Sequence, residues 1–318
     1  MGPPKSAVHL LLHAASTQPF SGHLATLGRQ HVYLSESELR QLAHRNSVSL
    51  KSTQITLHRD PELRRKGFLS DDSLYALLGF DQSTRIDHSN YEAAEVQLDL
   101  NTIQTPDHLL NQFDVVLDSR TVEHIFELPG ALAHCLNMTR VGGRIIHLTP
   151  SSNAVNHGFY SVSPTLYADF YTASGCTIET LYLCRIPKGF ERREWQVYDC
   201  GQSDRDWGPI GGLAGNAWFT FCIVRKRENS EPRVPQQSQY ESTWRSALQD
   251  RLATDGGGKP SDAEALSSSK SDKLLNLTQA YPRVHRAAAV SIRCWRNMLK
   301  YRRELRRRQN PYPWVGRF

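Results

Sequence analysis

Residues 113–171 decide the fold: FDVVLDSRTVEHIFELPGALAHCLNMTRVGGRIIHLTPSSNAVNHGFYSVSPTLYADFY. The apolar run Val115–Leu117 is typical of a strand buried on both faces of a parallel sheet. Apolar residues then recur at helical spacing over Glu123–Met138 until a Gly-Gly pair ends the pattern, and Arg144–Leu148 resumes as a strand. The stretch therefore predicts a β-α-β unit followed by a polar loop.

The pattern FDVV…EH…P.AL…VGGR.I…P resembles the second half of a class I S-adenosylmethionine-dependent methyltransferase. Residues 67–101, GFLSDDSLYALLGFDQSTRIDHSNYEAAEVQLDLN, and 156–171, NHGFYSVSPTLYADFY, resemble a narrower, type-11-like bacterial subgroup. The match covers residues 22 to 185. It implies an α/β, Rossmann-like class I methyltransferase fold, with a mostly parallel seven-stranded sheet and helices on both faces. The five remaining strands are then expected at residues 23–27, 83–87, 95–98, 176–183 and 217–224.

The resemblance also implies S-adenosylmethionine as the cofactor and places four residues against it. Gly28 follows the first strand, where the family has a glycine-rich loop, but Arg29 and Gln30 come next instead of further glycines. Either the subgroup binds the cofactor with a different loop or it has lost binding.

Three carboxylates complete the expected cofactor contacts. Asp87 ends the second strand, where a carboxylate accepts hydrogen bonds from the ribose hydroxyls, or it forms an Asx turn. Asp99 stands where the family's adenine-contacting carboxylate lies, and it is also a common turn former. Asp118 follows the fourth strand and could accept from the methionine ammonium group.

Two histidines are candidates for catalysis. His124 lies in the loop after the fourth strand, where a neutral imidazole could take a proton from an acceptor hydroxyl or could instead orient the loop. Glu123 beside it reads most simply as a residue that opens the following helix. His157, in the loop after the fifth strand, is the second candidate base.

The loop after the fifth strand also supplies the expected substrate contacts, because ligands collect outside the carboxyl ends of the strands of open α/β sheets. The candidates are Asn153, Asn156 and Tyr160, and the alternative is an ordinary surface loop. No metal-ligand spacing appears nearby, so the sequence predicts a metal-independent reaction.

Charge divides the chain of 318 residues unevenly. Residues 270–318 hold 13 Lys and Arg against 2 Asp and Glu, a net charge of +11, which leaves −5 for the rest of a chain whose total is +6. We predict an α/β domain over 1–227, a flexible linker rich in Ser, Gln, Gly and Pro over 228–272, and a basic amphipathic helical tail over 273–318.

These observations favour a cytoplasmic methyltransferase that acts on a small hydroxylated acceptor, with a saccharide or glycan precursor suggested only by the resemblance. No apolar segment approaches the length of a membrane span, and the cysteines lack metal or disulfide spacing. Two alternatives stay open. One is a noncatalytic methyltransferase-like scaffold. The other is a protein whose basic tail binds an anionic partner, such as nucleic acid, a membrane surface or another protein.

Overall fold

The computed structural model describes residues 2–187, 193–201, 216–238, 240 and 314–318. Six α-helices lie in the described part of the chain: α1 (Lys5–Thr17), α2 (Glu36–Arg45), α3 (Pro61–Arg65), α4 (Asp71–Leu78), α5 (Leu128–Met138) and α6 (Pro164–Ala173). The strands are β1 (His23–Leu27), β2 (Gln82–Asp87), β3 (Val96–Gln97), β4 (Phe113–Ser119), β5 (Thr139–Ser152), β6 (Thr177–Ile186), β7 (Gln196–Asp199), β8 (Ala217–Arg225) and β9 (Trp314–Arg317).

The strands form one sheet in the order β3-β2-β1-β4-β5-β8-β6-β7-β9. The first five in this order pair in parallel, and β8 runs antiparallel between β5 and β6. This arrangement confirms the predicted Rossmann-like class I methyltransferase fold. The predicted count of seven strands is wrong, because β7 and β9 extend the sheet beyond β6.

Alternation along β4 assigns its side chains to the two faces of the sheet. Val115 and Leu117 join the large apolar cluster formed with α1, α2 and α4. Val116 and Asp118 point to the opposite face. There His147 contacts both Asp118 and the hydroxyl of Tyr171 on α6. The polar end of β4 is therefore buried under a helix.

A long connection joins β1 to β2, and it carries α2, α3 and α4. Asp71, in the first turn of α4, accepts from Arg29 after β1 and from Arg85 on β2, with nitrogen to oxygen distances of 3.1 Å. Both arginine side chains are at most 10% exposed. These buried ion pairs fix the start of α4 between the first two strands.

The helix after β4 differs from the prediction. Val122–His124 forms a short 3₁₀ turn, and α5 begins only at Leu128, with Pro129 in its first turn. Proline is favoured there because its missing N–H would have no helical partner. Glu123 therefore does not open the helix.

The expected break at Gly142 is also absent, because β5 runs from Thr139 through this residue. Gly142 has a φ of +79°, and the pairing of β4 with β5 shifts register between Phe113 and Val115. The glycine accommodates an irregularity within the strand instead of ending a helix.

The last residues of the predicted helical tail form a strand. Trp314–Arg317 forms the edge strand β9, which pairs antiparallel with β7. Phe318 exchanges two backbone hydrogen bonds with Trp195 and packs its ring 5.0 Å from that of His9 and 5.4 Å from that of His13. The amphipathic helix expected within 273–313 lies outside the described residues.

Two compact units make up the chain. The first comprises Met1–Arg205, Leu213–Ser238 and Tyr312–Phe318, and the second comprises Asp206–Gly212 and Gln239–Pro311. The predicted boundary at residue 227 moves to 238, since Glu231 and Arg233 donate backbone hydrogen bonds to Ser174. The proposed linker and tail otherwise remain predictions.

Within the described residues, none of the helices combines the length and apolar character that crossing a membrane requires. In the described residues Cys135, Cys176, Cys184 and Cys222 are free thiols, and all of these except Cys176 are buried. A cytoplasmic location stays a prediction.

We expect Phe318→Ala to lower the free energy of unfolding by about 3 kcal/mol, because the side chain is 9% exposed and packed against α1. Trp314→Ala on the same strand is the matched control. Its side chain is 61% exposed, so the cost should stay within about 0.5 kcal/mol. Urea denaturation measures both, and equal effects would mean that β9 is not docked.

Candidate active site

The predicted site residues lie at or just after the carboxyl ends of β1 to β5, which meet at one edge of the sheet. Thr121, in the loop after β4, bridges this edge: its hydroxyl donates to the carbonyl of Leu27 at 2.8 Å. The same hydroxyl oxygen lies 3.9 Å from the position that a Cβ on Gly28 would take. The loops after β1 and β4 are thereby held together.

Gly28 and Asp87 form a corner at this edge. Gly28 has a φ of +72°, and its N–H donates to the carbonyl of Ile86 at 2.7 Å. A Cβ on Gly28 would lie 3.4 Å from Oδ2 of Asp87. Oδ1 of Asp87 accepts from the backbone N–H of Ser89 at 3.1 Å, so the turn role of this aspartate is observed. Its second oxygen faces the glycine.

Arg29 and Gln30 brace the loop where the family has glycines. The guanidinium of Arg29 donates to the carbonyl of Glu92 at 2.7 Å, besides its ion pair with Asp71. Gln30 is 2% exposed and donates from Nε2 to the carbonyl of Leu27 at 2.9 Å. Its Oε1 is buried without a hydrogen-bond partner among the described residues. Side chains, instead of glycines, shape this loop.

Asp99 forms a turn. Its Oδ1 accepts from the backbone N–H of Asn101 at 2.9 Å and from the side-chain amide of Asn101 at 3.0 Å. The backbone hydrogen bond is the main cause that holds the pKa of Asp99 below its usual range. The turn role considered for this residue is observed, and a contact with adenine stays a prediction.

Asp118 requires a correction. It is completely buried, and its Oδ1 accepts from the backbone N–H groups of Thr121 and Val122 at 3.0 and 3.2 Å. Its Oδ2 accepts from Nδ1 of His147 at 2.8 Å. Both oxygens are thus used inside the protein, so we withdraw the prediction that Asp118 meets the methionine end of a cofactor.

His147 continues the network beneath the loop. It is the register partner of Asp118 in the β4–β5 pair, so the two side chains share one face. Because its Nδ1–H donates to the carboxylate, its Nε2 accepts from the hydroxyl of Tyr171 at 2.6 Å in the neutral ring. Asp118 therefore connects the loop after β4 to His147 on β5 and, through His147, to Tyr171 on α6.

The two histidines predicted for catalysis come together although 33 positions separate them. The ring centroids of His124 and His157 lie 5.0 Å apart at an interplanar angle of 71°. Nε2 of His157 is 3.4 Å from Oε1 of Glu123, and Nε2 of His124 is 3.9 Å from the same oxygen. We call Glu123, His124 and His157 the histidine–carboxylate cluster.

Glu123 is the residue that the sequence reasoning misjudged. Its side chain is 0% exposed, and neither carboxylate oxygen has a hydrogen-bond partner among the described residues. Burial, with the nearby Asp118 charge, raises the pKa of Glu123 to about 8. Its backbone carbonyl accepts from the N–H groups of Phe159 and Tyr160 at 2.8 and 3.2 Å, which holds the loop after β5 in place.

Arg120 is a second residue that the sequence reasoning missed. Its Nη2 lies 3.4 Å from Nε2 of His157, and its guanidinium lies 5.4 Å from the ring centroid of Phe219. Burial, followed by the positive charge of Arg120, lowers the pKa of both His124 and His157. Its position in a polar loop directly after β4 could have indicated a site residue.

The predicted substrate residues all lie in the loop after β5. Asn153 and Asn156 both have positive φ, which asparagine tolerates better than most residues. Asn153 donates to the carbonyl of Asn216 at 2.8 Å. The hydroxyl of Tyr160 donates to the carbonyl of Phe126 at 2.8 Å. Asn153 and Asn156 are both exposed on the loop that carries His157, and contacts of Asn153, Asn156 and Tyr160 with a substrate stay predictions.

An exposed aromatic pair follows the two cluster histidines in sequence. Phe126 and Phe159 are 68% and 66% exposed, and their rings meet edge to face with centroids 5.6 Å apart. Exposed aromatic pairs of this kind commonly mark binding surfaces.

No protein-family profile and no curated protein matches the chain. Among solved structures, it is similar to the 1,6-didemethyltoxoflavin-N1-methyltransferase of Burkholderia thailandensis, with 13% identity, 70% of this chain and 78% of that chain covered, and a TM-score of 0.34. It is also similar to the YcgJ protein of Bacillus subtilis, with 9% identity, 70% and 98% coverage and a TM-score of 0.37. A third similar structure is a 16S rRNA methyltransferase of T. thermophilus. The identity is 13%, the match covers 72% of this chain and 41% of that chain, and the TM-score is 0.29. Likenesses this distant do not identify an activity, so the fold assignment rests on the strand order.

We expect Gly158→Ala to cost about 3 kcal/mol of unfolding free energy, because the residue has a φ of +74° and its Cβ would lie 2.7 Å from the carbonyl oxygen of Glu123. Gly67→Ala is the control. Gly67 has a φ of +73° and no atom within 4 Å of the added Cβ, so only the backbone cost of about 1 kcal/mol applies. Equal losses in urea denaturation would show that the 156–160 loop is not held against Glu123.

Proposed function

We propose that the protein is an S-adenosylmethionine-dependent methyltransferase that acts on a hydroxyl group of a small acceptor. The observation that carries the proposal is the histidine–carboxylate cluster, which lies at the same sheet edge as the Gly28–Asp87 corner. Thr121 links the loop that carries Glu123 and His124 to the end of β1. The corner proposed to bind the methyl donor and the groups proposed to accept a proton thus lie on loops that contact each other.

The residues at the corner fit the ribose end of the cofactor. Oδ2 of Asp87 faces Gly28, where the absence of a Cβ leaves space. A carboxylate in this place suits the two ribose hydroxyls. The Oε1 of Gln30, buried without a hydrogen-bond partner among the described residues, is a candidate acceptor for the ammonium group. The cofactor would supply a methyl group already activated on a sulfonium.

The acceptor must lose its hydroxyl proton, and we assign this step to His157. A neutral imidazole accepts the proton on one ring nitrogen. The side chain of Glu123, buried 3.4 Å from Nε2, would accept a hydrogen bond from the protonated ring. His124 is a second proton acceptor in the same cluster, and Asn156 remains a substrate contact by proposal.

The identity of the acceptor stays a proposal. A saccharide or glycan precursor is suggested by the family resemblance alone, while the exposed pair Phe126 and Phe159 favours an acceptor with an apolar face. An anionic partner for the basic segment after residue 270 is likewise a proposal, because that segment lies outside the described residues up to 313.

The first test is calorimetric titration with S-adenosylmethionine and S-adenosylhomocysteine. We expect micromolar binding by the native sequence and a loss of at least about tenfold in Asp87→Ala, since hydrogen bonds to a charged group contribute about 1.5–3 kcal/mol. Asp81→Ala is the matched control, because its side chain is 67% exposed and pairs with Lys51 away from the corner.

Absence of binding by correctly folded protein would contradict the proposal. It would favour the noncatalytic scaffold, which the replacement of loop glycines by Arg29 and Gln30 already makes a real alternative.

The second test concerns the proton acceptor. We expect His157→Asn to slow methyl transfer to hydroxylated acceptors by about 10²–10⁴-fold while the affinity for S-adenosylmethionine is kept. Release of S-adenosylhomocysteine measures the rate over a panel of such acceptors. His44→Asn, on the exposed face of α2, is the control. Unchanged activity in His157→Asn would refute its role.

A further inference from the structure

Three metal-ligating side chains converge after β4 and β5. One carboxylate oxygen of Glu123 and one ring nitrogen each of His124 and His157 lie within 4.8 Å of one another. We infer that the histidine–carboxylate cluster is a binding site for a divalent transition-metal ion of the Zn²⁺ type.

The distances suit such an ion. Ligand atoms about 2.0–2.1 Å from a tetrahedral Zn²⁺ lie about 3.3 Å from one another. Oε1 of Glu123 is 3.4 Å from Nε2 of His157 and 3.9 Å from Nε2 of His124. The three ligand atoms lie within 4.8 Å of one another, so the imidazole rings must turn toward the ion to complete the ligand set.

Glu123 supplies independent support. A completely buried carboxylate without hydrogen-bond partners is costly, because nothing replaces the water it has lost. An ion bound to Oε1 removes that penalty.

The donor types indicate which ion binds. Two imidazole nitrogens and one carboxylate oxygen suit Zn²⁺ and neighbouring transition metals better than Mg²⁺ or Ca²⁺, which prefer oxygen ligands. Three protein ligands leave one tetrahedral position open. The two histidines are 39% and 25% exposed, so an ion and a further ligand can reach the site.

Arg120 opposes the ion. Its Nη2 lies 3.4 Å from Nε2 of His157, on the nitrogen that the metal would use. The guanidinium must move aside when a cation binds, since two positive charges cannot share that nitrogen. Removal of this charge is therefore expected to tighten metal binding, which a purely structural role of the cluster would not produce.

The role of the ion in methyl transfer rests on the proposed function, and there the metal-bound form replaces His157 as the means of removing the acceptor's proton. With an ion bound, the histidines are ligands and no longer accept the proton. The acceptor oxygen would take the open position, where the ion lowers the pKa of the hydroxyl and its proton passes to water. The oxygen then carries the electron pair needed for methyl transfer.

The test is titration of the full chain, freed of metal by a chelator, with ZnCl₂ by calorimetry and with CoCl₂ by visible absorption. We expect one ion per chain and the absorption of a four-coordinate Co²⁺ site. Glu123→Gln and His157→Asn should each weaken binding at least about tenfold, while Arg120→Met should strengthen it. Glu123→Gln preserves side-chain volume and introduces no charge at this buried position, so it should fold.

His58→Asn is the matched control, since His31 and His58 form the other close histidine pair of this edge, with facing nitrogens 3.1 Å apart. It should leave binding unchanged. Lack of binding, or binding lost in His58→Asn and kept in Glu123→Gln, would overturn the inference. Titration of the same preparation with S-adenosylmethionine separates this outcome from failure of the proposed function.

Discussion

The carboxylate of Asp118 is the interaction on which the candidate site depends. One oxygen accepts two backbone N–H groups of the loop after β4, and the other accepts from His147 on the neighbouring strand. Because charged hydrogen bonds in a buried environment are strong, this arrangement fixes the loop that begins at Arg120. The positions of Thr121 and Glu123 follow from it, and through Glu123 so does the loop after β5.

The two site loops are coupled through main-chain contacts more than through side chains. The carbonyl of Glu123 accepts from two successive N–H groups, and Gly158 is required because any side chain would meet that carbonyl. The hydroxyl of Tyr160 adds a third tie to Phe126. The histidines are thus placed by a rigid backbone junction, which favours a preorganised site.

Much of the fold could be predicted because its determinants are local. The apolar run in β4 and the helical spacing before Met138 report burial and period directly. The strand β9 could not be predicted, since its pairing with β7 joins residues more than a hundred positions apart and no local pattern encodes such a partner. The burial of Asp118 could have been predicted, because strict alternation along β4 places its side chain on the same face as that of Val116. The burial of Glu123 was not, since it depends on a glycine thirty-five positions later.

Because β9 pairs with β7, the basic segment before it is not a free terminus of the chain. Ser238 and the strand β9 both belong to the first unit, so the basic stretch between them is connected to that unit at both of its ends. Pairing β9 with β7 therefore carries a loop-closure entropy cost that a free terminus would not carry. Shortening the chain from its carboxyl end removes an edge strand before it removes most of the positive charge.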